Sequence, residues 1–192
     1  MSRINSITAL SRLLLCLSMS IGAVSSVAAQ SQAISSDSSA ANLSSYSEDD
    51  SVVRWGRIAG VITAQGVSNP VAGIASGTTP WTTTVGAAAV NLTNGEAAFF
   101  VKGLVLDGGN TSGTPGPVTS VKGALVCNAG ASNQEVSDTA TVPLDAQGNA
   151  EFQGRLEKGP SSECSNPIFL ILNAAKNVWI GTGEVRRART DR

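Results

Sequence analysis

The chain has 192 residues with 13 Lys or Arg, 14 Asp or Glu and no His, for a formal charge of −1. Without imidazole, Ser-His-Asp and Cys-His nucleophile systems are excluded, as are His-containing zinc and copper sites. The near-neutral balance, with no basic stripe and no broad acidic field, leaves no electrostatic footprint for nucleic acid.

The N-terminus reads as a targeting segment, residues 1–29. Arg3 and Arg12 flank a polar n-region, residues 13–24 form the apolar h-region, and Ser25-Ser-Val-Ala-Ala29 offers small residues for cleavage before Gln30. An apolar run of about a dozen residues is short for a bilayer span. Export as a secreted, periplasmic or cell-envelope protein is therefore expected, with no transmembrane anchor after cleavage. Residues 30–51 form a Ser-rich leader ending near Glu48-Asp49-Asp50, too poor in apolar groups to repay ordering. Removing the targeting segment also removes Cys16. The pair that remains, Cys127 and Cys164, is most simply one disulfide in an oxidising compartment.

A single β domain is expected over residues 52–186. Helix formers at helical spacing are scarce, whereas Val, Thr, Gly and Ser are frequent. Residues 52–64 predict a strand, with Gly56 and Gly60 marking a bulge or bend. A loop follows, with a short strand at 71–75, and then a strand over 81–91. Thr93-Asn94-Gly95 is a hairpin cue leading into residues 97–106. That strand and 118–127 share the string Val-Lys-Gly at 101–103 and 121–123. Between them lies Asp107-Gly-Gly-Asn-Thr-Ser-Gly-Thr-Pro-Gly-Pro117, turn chemistry throughout. The two are predicted to pair as a central hairpin, offset by about two residues or bulged at a glycine so that Lys102 does not oppose Lys122. Alternation puts Phe99, Val101, Gly103 and Val105 inward with Val121, Gly123, Leu125 and Cys127. Phe100, Lys102, Leu104, Leu106, Lys122, Ala124 and Val126 then share an outward face.

Residues 135–144 alternate Val136, Asp138, Ala140 and Val142 against Ser137, Thr139 and Thr141. Asp145-Ala-Gln-Gly-Asn149 turns the chain into a strand over 150–156. Residues 167–172 are apolar without alternation, as in a strand covered on both faces. The last strand spans 178–185, before a basic C-terminal tail at 187–192. About eight or nine short strands at regular spacing predict an antiparallel two-sheet β-sandwich, with a small closed β-barrel as the alternative.

Candidate chemistry is sparse. The apolar face carrying Lys102 and Lys122 is a candidate surface for a protein partner or self-association, since monomers seldom expose contiguous apolar patches. Trp55 and Trp179 read as core. Trp81, after Pro80 at a strand start, lies at a rim where sugars could stack. Asp107 with Asn110, and Asp145 with Asn149, put oxygen ligands in turns that calcium could use, although neither fits the EF-hand spacing and both read as ordinary Asx turns; no other cofactor is implied. Seven carboxylates, among them Glu96, Asp138, Glu151, Glu157 and Glu163, could in principle supply a glycosidase pair. The expected function is a non-enzymatic exported β protein acting by protein–protein contact. The alternatives are a carbohydrate-binding module using Trp81 and, more remotely, a carboxylate-dependent glycoside hydrolase.

Overall fold

The computed structural model describes residues 51–185. The expected targeting segment, nearly all of the leader and the basic tail lie outside these residues. Eleven strands form: β1 (Val52–Gly60), β2 (Trp81–Thr82), β3 (Val85–Asn91), β4 (Glu96–Lys102), β5 (Val105–Leu106), β6 (Ser120–Cys127), β7 (Glu135–Asp138), β8 (Val142–Pro143), β9 (Ala150–Arg155), β10 (Ile168–Asn173) and β11 (Val178–Val185). No helix occurs among the described residues. The all-β, antiparallel architecture is as the sequence predicts.

Nine strands make one sheet in the order β7-β6-β10-β11-β1-β3-β4-β9, with β8 also paired to β6; β2 and β5 form a second, two-stranded sheet. The large sheet is strongly curled. Its two ends meet at the bridge between Thr139 and Leu156, where the Glu157 N–H donates to the Asp138 carbonyl at 2.7 Å. The two expected layers are thus opposite walls of one curled sheet.

Aromatic rings join those walls. Phe169 on β10 lies 5.4 Å from Trp55 on β1 and 5.9 Å from Phe99 on β4, and Phe99 lies 5.8 Å from Phe152 on β9, centroid to centroid. Gly123 on β6 makes room for them. A Cβ there would sit 2.6 Å from Phe169 Cζ and 3.1 Å from Phe99 Cδ1.

Phe99 therefore faces Gly123 across the core, and β4 and β6 are not a hairpin. β4 pairs with β3 and β9, and β6 with β7, β8 and β10. The break comes at Gly103, whose φ of 65° is left-handed and ends the strand. Beyond it the alternation reverses, so that Leu104 and Leu106 are buried where the continuous strand would have put them outward. Leu104 N–H then bonds the Gly148 carbonyl and Leu106 N–H the Thr114 carbonyl, and β5 leaves the large sheet to pair with β2.

Other expectations hold with local changes. The bulge in β1 falls between Trp55 and Arg57, so that Trp55 and Ile58 both point inward. The strand expected over 81–91 splits into β2 and β3, and that over 135–144 into β7 and β8, while 71–75 supplies only the bridge between Val71 and Ile74. On β7 the hydroxyl series faces in. Ser137 and Thr139 are buried, and Val136 is 40% exposed. The Thr139 hydroxyl accepts from the Gly123 N–H at 2.9 Å and donates to the Ala140 carbonyl, which satisfies it inside.

β10 is covered on both faces, as its unbroken apolar run implies. One face looks into the core. Over the other runs the β1–β2 connection, in which Asn69 O accepts from Trp179 Nε1 at 3.0 Å and Ala72 O accepts from Gln134 Nε2 at 2.8 Å. Trp179 lies on β11 and Gln134 just precedes β7, so residues 69–72 span the strands between. Val71, Ala72 and Ile74 pack against the core from that side.

Cys127 at the end of β6 is bonded to Cys164 in the β9–β10 loop, with their Cα atoms 4.7 Å apart and a sequence separation of 37. In the loop-entropy account such a crosslink stabilises by about 3–4 kcal/mol. Replacing both cysteines by Ser should lower the thermal midpoint by roughly 10 °C, and an unchanged midpoint in a scanning calorimetry trace would contradict this. Gly123→Ala should lose about 1–3 kcal/mol by forcing Phe169 and Phe99 off their positions, seen as a lower urea midpoint at unchanged slope.

Candidate functional site

At one end of the curled sheet the chain leaves a cleft of about 500 Å³. Four segments converge on it: the stretch before β2, the β2–β5 sheet, the Gly-rich connector after β5, and the β10–β11 turn. Its apolar wall is Trp81, Leu106, Val118, Val178 and Ile180, and its polar groups include Gln65, Thr78, Thr79, Asn110, Thr111 and Lys176.

Each wall is held by backbone bonding that the local sequence requires. Trp81 follows Pro80, which carries no N–H. The Trp81 N–H donates to Val61 O at 2.9 Å, Pro80 O accepts from the Asp107 N–H at 2.9 Å, and Trp81 pairs with Leu106. β2 can press against β1 because Gly60 has no side chain; a Cβ there would lie 2.2 Å from Trp81 O. The stretch before β2 is tied to β11 by Trp179 N–H to Ala75 O at 3.0 Å and Gly77 N–H to Trp179 O at 2.8 Å. Buried Ser76 locks it further, accepting from the Asn69 N–H and donating to the Gly77 carbonyl, both at 2.7 Å.

Trp81 is only 5% exposed. It is a pocket wall and not an open platform. Gly77 faces its indole, with the Cβ position 3.6 Å from Trp81 Nε1 and 3.3 Å from Ile180 Cγ2. Any side chain at Gly77 would enter the cleft beside the indole N–H.

The β10–β11 turn supplies another part of the lining. Asn173 O accepts from the Asn177 N–H at 2.9 Å and its Oδ1 accepts from the Ala175 N–H at 3.1 Å. Asn177 adopts φ 52°, as Asn tolerates better than most residues. The turn presents Lys176, exposed, at the mouth.

Of the residues singled out from sequence, Trp81 and Asn110 meet at this cleft; Asp107 adjoins it without lining it. The others lie elsewhere. Lys102 is on β4 and Lys122 on β6, strands on opposite walls, so no common lysine-bearing face forms. Their expected apolar neighbours Phe100, Leu104, Leu106, Ala124 and Val126 are buried. Lys122 Nζ instead pairs with Asp138 Oδ2 at 2.5 Å on the adjoining strand, and Glu96 pairs with Arg155 at 3.3 Å. No carboxylate lines the cleft among the described residues, and none of their Asp, Glu and Cys side chains cluster in a group of three able to hold a metal.

Asp145 and Asn149 build a turn that props the β4 break. Asp145 Oδ1 accepts from the N–H groups of Gln147 and Asn149, at 2.9 and 2.8 Å, and its Oδ2 accepts from Asn149 Nδ2 at 2.9 Å. Asn149 Oδ1 in turn accepts from the Gly103 N–H at 3.2 Å. Desolvation pushes the Asp145 carboxyl upward, but these bonds, from Asn149 first and then Gln147 and Gly148, hold it below the ordinary carboxylate value.

Sequence reasoning found Trp81 through its position after Pro80. It missed Lys176, Gln65 and the two threonines, which sit in turns with no periodic signal and meet only through the fold. Fold and site together define an all-β protein with an aromatic-walled cleft at one end of a curled sheet. No family model, curated protein or solved structure matches the chain.

Because its folded value is depressed, Asp145 contributes stability above the ordinary carboxylate value of about 4, and that contribution is lost as pH falls through the lower native value. Asp145→Asn should therefore be less stable than the parent at pH 7, with the gap closing toward pH 3. Urea midpoints at the two pH values measure it, and a gap that widens on acidification would refute the assignment.

Proposed function

We propose that the domain is a non-enzymatic binding module whose end cleft takes a carbohydrate, in a protein that works outside the cytoplasm. Trp81 carries this reading. Its indole lines the same cleft as Thr78, Thr79, Gln65 and Asn110, and that cleft's volume of about 500 Å³ suits a small ligand. Saccharides have apolar C–H faces and many hydroxyls, and a wall that is aromatic on one side and rimmed by neutral polar groups answers both. The Cys127–Cys164 bond supports the exported location, since such bonds persist in oxidising compartments.

A protein partner would need some surface other than the expected one. Lys102 and Lys122 stand on opposite walls, so the cleft is the better-supported site.

A printed array of neutral and acidic oligosaccharides, probed with the whole chain, tests the proposal. Retention of at least one glycan family is expected. Trp81→Phe, which keeps an apolar wall but loses the indole N–H, should weaken it several-fold, by about the 1 kcal/mol of one hydrogen bond. Gly77→Val should abolish it by filling the space beside the indole. An array on which nothing is retained overturns the proposal.

A further inference from the structure

We infer that the cleft selects an acidic saccharide, whose carboxylate is received at the mouth by Lys176. The inference rests on the carbohydrate reading above and adds a charge preference to it. Three observations carry it. Lys176 is the single charged residue among those lining the cleft, and no Asp or Glu opposes it there. The described residues' other cations, such as Arg54, Arg57, Lys102, Lys122, Arg155 and Lys158, lie outside the lining, so the positive charge at this mouth comes from one side chain. The third is the connector, which lines the same cleft: the N–H groups of Gly109, Asn110 and Thr111 donate to no acceptor among the described residues, while those of Gly108, Ser112, Gly113 and Thr114 are all engaged.

An ammonium and unengaged backbone donors in one lining, with no carboxylate among the lining residues, give a cleft rich in donors. A neutral sugar uses such a mouth only through hydroxyl acceptors. A carboxylate accepts several charge-assisted bonds at once and neutralises Lys176. Asp107 adjoins the connector but is exposed and outside the lining, so it screens the mouth without occupying it. Lys176 is itself exposed, which limits its pairing energy. The preference should be about fivefold and not hundreds-fold. It should also fade with salt, because the screening length falls from about 10 Å at 0.1 M to about 3 Å at 1 M.

The test uses two matched pairs with the whole chain: tetragalacturonate against its methyl ester, and sialyllactose against lactose, by isothermal titration at low and high salt. At least one acid should bind about fivefold more tightly than its neutral partner at low salt. Lys176→Gln, in an exposed turn and so harmless to folding, should erase that preference by lowering the acid's affinity to that of its neutral partner. If the acids bind no better than their partners, or the preference survives Lys176→Gln or 1 M salt, the inference is overturned. In that case neutral binding that still responds to Trp81→Phe leaves the carbohydrate reading standing. If nothing binds in either pair and the array is blank as well, both fall together.

Discussion

Phe99 and Phe169, meeting above Gly123, set the distance between the opposite walls of the curled sheet. Strands that bond edge to edge need only backbone groups, but a sheet closes on itself only if the side chains within fill the lumen without overfilling it. Here four aromatic rings and one missing Cβ do that. Trp55 and Phe152 complete the ring cluster from β1 and β9, so strands from one end and the middle of the sheet share one packed centre. A clash of 2.6 Å at the glycine is the measure of how little space is left.

Curling removes most of the edge problem of an all-β protein. The two ends of the large sheet touch at Thr139 and Leu156, and the outer side of β10 lies beneath the β1–β2 connection. That cover depends on two side chains, Trp179 and Gln134, reaching carbonyls of the connection. Trp179, read from sequence as core, is core of this second kind. It is buried in the core cluster and uses its N–H to tie down the covering segment.

The cleft follows from how the curled sheet ends. β1 stops at Gly60 and β4 breaks at Gly103; both strands then hand their chains to the small β2–β5 sheet, which stands at one end as a flap of backbone. Trp81 lies in that flap. The Gly-rich connector and the β10–β11 turn line the same cleft, so polar groups of loops distant in sequence gather with one indole. Asp145 and Asn149, considered first as ligand oxygens, serve this arrangement from behind by bonding the backbone at the β4 break.

Local chemistry in the sequence was sufficient for the strands themselves, the β1 bulge at Gly56, the doubly covered β10 and the pairing of Cys127 with Cys164. Each depends on neighbours along the chain, or, for the cysteines, on there being no other partner left within the expected mature chain. Which strands pair is a different matter. The repeated Val-Lys-Gly string suggested that β4 and β6 pair, but β4 ends at the left-handed Gly103 and the chain passes through the small β2–β5 sheet before β6 forms on the opposite wall. The inward turn of the Thr139 hydroxyl likewise required Gly123 as a donor across the strand. Lys176 became a rim residue only once β10 and β11 were folded beneath Trp81. Periodicity records which side of a strand is apolar, whereas a cleft is a property of distances between segments, and those exist only in the closed sheet.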